Sequence, residues 1–225
     1  MTDNHMHLFL DTANIEHIRR AAKLGIVSGI TTNPSLVAKE KCANYRDFIQ
    51  EICTIIDGPI SAEVLSQDAT AIIEEARDIA SWASNIVVKV PITDQGIEAT
   101  SQLSREGIKV NLTLCFSVNQ ALLGALSGAA YVSPFVGRLD DIGENGMQLV
   151  ADIVEIYKIY NFPTQVIAAS IRHPMHCVAA AKAGAHVATI PYKILMQMFE
   201  HPLTTIGIAR FLKDFSELKI QGDKR

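Results

Sequence analysis

Eight short apolar runs of strand type, each followed by a segment of helical periodicity, constrain this chain more than any other feature. The runs occupy 7–11, 28–34, 59–65, 86–91, 108–114, 130–136, 164–170 and 185–191. Between them, apolar residues recur at helical spacing, as in Phe48, Ile49, Ile52 and Ile56, or in Ile72, Ile73, Ala76 and Ile79. Regular alternation of strand and helix makes the sheet parallel. Eight such units predict an α/β fold of the (β/α)8 TIM-barrel kind. A doubly wound open sheet competes, but Asp11-Thr12-Ala13-Asn14 stands where a glycine-rich phosphate loop would follow the first strand. With 225 residues, 48% of them hydrophobic, and no linker or low-complexity stretch, a single domain over 1–225 is expected. One amphipathic segment is left over. Over 202–215, Leu203, Ile206, Ile208, Phe211, Leu212 and Phe215 make an apolar face beyond the eight units, which must pack beneath its own barrel or on a neighbouring subunit.

Composition removes several classes of function. The net charge is −4 and the 20 basic residues are scattered, so no nucleic-acid footprint exists. No apolar run approaches the roughly 20 residues that span a bilayer, and the N-terminus lacks a signal-peptide pattern. Cys42, Cys53, Cys115 and Cys177 show no CxxC spacing and sit in apolar patterns. Buried, reduced thiols and a cytoplasmic location are expected.

The chemistry centres on Ile86-Val87-Val88-Lys89-Val90-Pro91. A lysine inside such a run is buried, paired or chemical, because parallel strands are covered on both faces. Desolvation disfavours the ammonium, and a neutral amine can attack a carbonyl to give a Schiff base. The competing reading is a buried ion pair or a side chain snorkelling to water. Neighbouring strands bear on the choice, because Ser61 and Glu63, Val87 and Lys89, Asn111 and Thr113, and Ser133 and Phe135 share faces at alternate positions. Asp11, Asn33 and Ser170 end strands one, two and seven. In a barrel these groups converge at the C-terminal mouth, where a purely structural core would be aliphatic. Arg138 and Arg172 follow strands six and seven, at the rim that commonly holds phosphate, so an anionic substrate is favoured over surface ion pairing. His173 and His176 have ligand-like spacing, but no third or fourth partner is recognisable, and no metal or other cofactor is expected. Ser61 and Ser170 lack a histidine in triad-like pattern.

Four segments carry a resemblance to the small transaldolases of the class I aldolase group, which include the bacterial fructose-6-phosphate aldolases. They are Phe9-Leu10-Asp11-Thr12-Ala13-Asn14, Gly29-Ile30-Thr31-Thr32-Asn33-Pro34-Ser35, Val87-Val88-Lys89-Val90-Pro91, and the stretch from Tyr131 to Asp141. The likeness runs from the first strand to the C-terminal helix. It implies that Lys89 is the Schiff-base lysine, Asp11 the acid/base for the substrate hydroxyl, and Glu63 an acid/base acting through a water shared with Thr113. Asn33, Asn111 and Ser133 resemble the groups that hold sugar hydroxyls and the Schiff-base end. Ser61 and Phe135 complete the binding set, and Arg138, Ser170 and Arg172 resemble a phosphate clamp. Where this chain has Glu63 and Phe135, the aldolase branch is expected to carry glutamine and tyrosine, so both positions resemble a transaldolase. The resemblance implies transfer of dihydroxyacetone between sugar phosphates in the pentose phosphate pathway, with a lyase releasing free dihydroxyacetone and a non-catalytic sugar-phosphate binder as alternatives. It also implies a homo-oligomer, a pentameric ring or a decamer.

Overall fold

The computed structural model describes residues 5–40 and 44–222, with backbone alone for 217–222. It is a closed barrel of parallel strands in sequential order, the last pairing with the first. The strands are β1 His7–Asp11, β2 Gly29–Thr31, β3 Ile60–Glu63, β4 Ile86–Pro91, β5 Val110–Cys115, β6 Tyr131–Pro134, β7 Gln165–Ala168 and β8 Val187–Ile190. The helices are α1 Ile15–Ala22, α2 Pro34–Lys39, α3 Tyr45–Ile55, α4 Ala69–Ala80, α5 Asp94–Arg105, α6 Val118–Leu126, α7 Val136–Asp140, α8 Gly146–Ile159, α9 Pro174–Lys182, α10 Tyr192–Gln197 and α11 Pro202–Gly222. The (β/α)8 barrel read from the sequence is the fold, with α11 as its added helix.

Alternation along each strand builds two cores. Leu10, Ile30, Ile60, Val88, Leu112, Val132, Val166 and Ile190 face outward and pack with Ile18, Ile49, Ile72, Leu103 and Ile153 of the helices. The opposite faces point into the barrel. There Phe9, Ile167 and Val187, with Tyr131 against them, form a separate apolar cluster that plugs the interior. Gly29 is required by this plug, since a Cβ there would lie 2.6 Å from the Phe9 ring. Because both faces are covered, β4 buries every residue except Pro91.

Helix starts are set locally. Of the two candidate caps before α1, Asn14 takes the role, accepting from the His17 amide at 3.0 Å. The second strand ends sooner than its apolar run suggests, because Asn33 caps and Pro34 opens α2, a helix the periodicity did not announce. The loop expected over 137–145 likewise contains most of α7, which begins directly after Phe135. Between β5 and β6 the register shifts after Leu112, and Leu114 takes a φ of 57°. Such a bulge re-aims side chains at a barrel rim.

Cys115 and Cys177 are buried free thiols, whereas Cys53 is half-buried, because it lies at the edge of the α3 packing face. Cys42 lies outside the described residues. The C-terminal helix does not pack its apolar face beneath the barrel: Leu203 is 70% and Phe211 73% exposed. No helix among the described residues is long and apolar enough to cross a membrane.

Candidate active site

Above the apolar plug the barrel interior turns polar. Asn111, fully buried on β5, donates from Nδ2 to Ser61 Oγ at 3.2 Å and accepts at Oδ1 from the Ser133 hydroxyl at 2.7 Å. This bridge across β3, β5 and β6 satisfies groups that would otherwise be costly to bury. Over it stands Lys89. Its Nζ donates to the Thr32 carbonyl at 3.0 Å and lies 2.9 Å from Glu63 Oε2, on the adjacent strand and in register with it. The two side chains are only 7% and 12% exposed. Lys89 is therefore both buried and paired, and its pairing partner is itself a titratable group facing the cavity.

On the far wall, the Thr31 hydroxyl donates to Asp11 Oδ1 at 2.8 Å. Since its proton is used there, Thr189, 2.6 Å away, donates to Thr31 in turn. Burial raises the pKa of Asp11 above the ordinary carboxylate range; the Thr31 hydrogen bond and the Lys89 charge oppose the rise, and the Glu63 charge adds to it. Asp11 is a buried acid that holds its proton longer than an exposed one. Thr113 Oγ1 is buried without a hydrogen-bond partner among the described residues. It lines the cavity, where an unpartnered hydroxyl is available to a ligand.

A cavity of about 460 Å³ opens at the C-terminal strand ends, a size suited to a small molecule. It brings together Asp11, Asn33, Glu63, Lys89, Thr113, Ser133, Phe135, Arg138, Ser170 and Arg172. Ser61 and Asn111 do not line it; they lie beneath, in the bridge just described. Asn33 turns its Oδ1 to the Leu36 amide as the α2 cap while lining the cavity. Two lining residues, Leu114 and Ser170, are non-glycines at positive φ, 57° and 59°, a strained conformation that collects at functional sites.

The rim is charged. The Arg138 guanidinium lies 5.2 Å from the centroid of the Phe135 ring, and Phe135 meets Phe116 edge-on at 5.8 Å. Arg138 has no carboxylate within ion-pair distance among the described residues. Arg172 instead pairs with Asp141 at 2.8 Å, both half exposed. Gly137 lets Arg172 lie close, since a Cβ there would come within 2.6 Å of its Nε.

Among curated proteins, a probable transaldolase of Dehalococcoides mccartyi is 60% identical over 215 residues, spanning 95% of this chain and 100% of that one. One of Heliobacterium modesticaldum is 58% identical over 214 residues, spanning 95% and 99%. The family described as transaldolase/fructose-6-phosphate aldolase matches residues 8–224. This chain belongs to that family.

A solved structure of a flavocytochrome b2 variant superposes on this transaldolase/fructose-6-phosphate aldolase family member with a TM-score of 0.57 over 84% of this chain and 57% of that one, at 9% identity. That likeness concerns the barrel alone. Among the described residues of this family member, no group of three or more His, Cys, Asp or Glu is placed to hold a metal. The His173 and His176 rings lie 3.8 Å apart, tilted by 49°, and His176 Nε2 sits 3.0 Å from Asp140 Oδ2. Thr31, Thr189, Ser35 and Pro191 border the cavity without having been singled out from the sequence. For the two threonines a signal existed: each is a hydroxyl on an inward position of an otherwise apolar strand.

Proposed function

We propose that this protein is a transaldolase, moving a dihydroxyacetone unit from a ketose phosphate such as sedoheptulose 7-phosphate or fructose 6-phosphate to glyceraldehyde 3-phosphate or erythrose 4-phosphate. The observation that carries the reading is Lys89 Nζ 2.9 Å from the Glu63 carboxylate at the floor of a cavity rimmed by Arg138 and Arg172. Lys89 passes a proton to Glu63 and attacks the ketose carbonyl. Glu63, through a water held with Thr113, returns protons as the carbinolamine loses water to the iminium. Asp11 takes the proton of the hydroxyl next to the bond that breaks, the aldose leaves, and the electron pair is held as an enamine on the Lys89 nitrogen. The enamine then attacks the acceptor aldehyde, Asp11 returns its proton, and water releases the new ketose.

Ser133 and Asn33 hold the dihydroxyacetone unit, with Asn111 and Ser61 fixing Ser133 from below. Ser170, Arg138 and Arg172 hold the phosphate. Phe135 favours transfer over lysis: a phenyl ring neither donates a proton to the enamine carbon nor holds a water that could. The steady-state test is dihydroxyacetone release from fructose 6-phosphate with and without erythrose 4-phosphate. Turnover dependent on the acceptor is expected; equal release without it makes the enzyme a lyase.

The exposed apolar face of α11 suits a second copy of this chain, in keeping with a ring-based homo-oligomer in the cytoplasm. Ending the chain after His201 is expected to lower the assembly mass in light scattering. An unchanged mass would refute α11 as the interface.

A further inference from the structure

The carboxylate of Asp140, at the end of α7, ties three elements together. Its Oδ1 accepts from the Gly146 amide at 3.0 Å, at the start of α8, and its Oδ2 lies 3.0 Å from His176 Nε2 on α9. The other ring nitrogen of His176 is also used. Nδ1 lies 3.3 Å from the backbone N–H of Arg172, which can only donate, so Nδ1 accepts. With Nδ1 an acceptor, the neutral ring carries its proton on Nε2 and donates it to Asp140. The Arg172 guanidinium meets Asp141, the next residue of the same helix end, at 2.8 Å. Arg172 is thus held at its backbone by His176 and at its side-chain tip by Asp141, with Gly137 leaving room between.

We propose that His176 is a positioning residue for the phosphate end of the site: its Nδ1, kept an acceptor by the proton that Nε2 gives to Asp140, fixes the backbone from which Arg172 reaches the substrate phosphate. The inference rests on the phosphate reading of Arg172 made above. An exposed arginine on a loop spends its side-chain freedom when it binds an anion, and a fixed backbone reduces how much must be ordered. Arg172 can exchange Asp141 for a phosphate, because an exposed ion pair holds weakly. His176 has no such freedom, being only 12% exposed.

The groups facing the ring are Asp140 from α7, His173 tilted against it at the head of α9, and Arg172 from the preceding loop. Burial pushes the pKa of His176 below the usual imidazole value, and His173 and Arg172 act the same way against Asp140. The ring is therefore neutral near pH 7. Protonation at lower pH would place an N–H on Nδ1 against the Arg172 N–H and open the clasp.

Two isosteres separate the ring's two contacts. The carbonyl of asparagine falls near the place of Nδ1, and the amide of glutamine near Nε2. His176→Asn keeps an acceptor for the Arg172 amide, whereas His176→Gln keeps only the donor to Asp140. The probes are the KM for fructose 6-phosphate and the Ki of inorganic phosphate as a competitor, with melting curves to confirm folding. For His176→Gln both constants are expected to rise about fivefold, the size of one lost hydrogen bond, with the change falling on KM rather than kcat. His176→Asn should stay within about twofold of the native values. It should also lose that part of the acid-side rise in Ki that exceeds the titration of phosphate itself. Unchanged constants in His176→Gln, a rise in KM without a rise in the phosphate Ki, or equal effects of both substitutions would overturn the proposal. Arg172→Ala is the control for the reading beneath it: if that variant leaves the phosphate Ki unchanged, the phosphate clamp lies elsewhere and the clasp has nothing to position.

Discussion

Two ion pairs of nearly equal length sit at opposite ends of the cavity. Lys89 meets Glu63 at 2.9 Å and Arg172 meets Asp141 at 2.8 Å, yet the first pair is 7% and 12% exposed and the second 51% and 60%. Distance alone would rank them together. Their surroundings do not. At the rim, water screens the charges and ordering two long side chains offsets most of the attraction, leaving about 0–1 kcal/mol. On the barrel floor, each charge has lost its water and depends on the other, so removing one partner strands the second at a cost of about 3–5 kcal/mol. In the mechanism proposed above, the floor pair relaxes by passing a proton from Lys89 to Glu63, which frees the lysine as a nucleophile. The rim pair can relax by parting, which is what an anion-binding arginine needs. Burial decides which relaxation is open.

The sharpest way to test this contrast is Lys89→Met, which keeps most of the volume and removes the amine. Turnover should fall by more than about 10³-fold, since the covalent route is gone. Borohydride with fructose 6-phosphate, which should label Lys89 in the native protein, should then add no mass. Loss of stability is expected too, because Glu63 is left without its cation. Adding Glu63→Gln should recover most of that loss without recovering activity. A Lys89→Met enzyme within tenfold of native turnover would move the chemistry to another residue.

At the rim the expected effect is smaller and of another kind. Arg172→Ala and Arg138→Ala should each raise KM for phosphorylated sugars about tenfold to a hundredfold, matching about 1.5–3 kcal/mol per charge-assisted contact. Melting temperatures should hardly move. Unphosphorylated fructose supplies the check, because an equal change in its KM would show that these arginines shape the site without holding phosphate.

The sequence made the floor more legible than the rim, for physical reasons. Ser61, Glu63, Lys89, Asn111, Thr113 and Ser133 stand on strands, where period-two alternation fixes which side chains face inward. Their polarity against valine and isoleucine neighbours is a strong contrast. Alternation does not tell height within the barrel, so Ser61 and Asn111, which lie beneath the cavity, share the pattern of the residues that line it. The rim is built from loop ends and short helices, which carry no period to read. Arg138 sits beside Asp140 and Asp141 in sequence, yet Asp141 pairs with Arg172, 31 residues away, because the turn of α7 sends the Arg138 guanidinium back over Phe135. The helices α2 and α7, of 6 and 5 residues, are too short for a helical repeat to register. The outer helices and the eight strands repeat long enough to be recognised, which is why the barrel could be read throughout, while at the rim the positions of Arg138 and Arg172 could be read but not their partners.

The smallest expected effect concerns a carboxylate on the floor without a full ion pair of its own. Burial raises the pKa of Asp11 over its value of about 3.9 in an unfolded chain. Between those two values the folded protein binds more protons than the unfolded one, so this group makes stability fall as pH climbs through that interval. Above the folded pKa the full cost of burying the charge remains. Asp11→Asn removes the charge while its Oδ1 can still accept from Thr31. The variant should therefore melt higher than the native protein at pH 7, by about 2–4 °C for each kcal/mol regained in a chain of this length. Below the unfolded pKa, where the native Asp11 is protonated in both states, the two melting curves should converge. Turnover should drop in the same variant, since an amide cannot take the substrate hydroxyl proton. Loss of activity with a gain of stability that disappears in acid would mark Asp11 as a charge the fold tolerates for its chemistry. An Asp11→Asn protein that melts lower at pH 7 would show instead that Thr31 and Lys89 more than offset the burial, and that the floor holds a second satisfied pair.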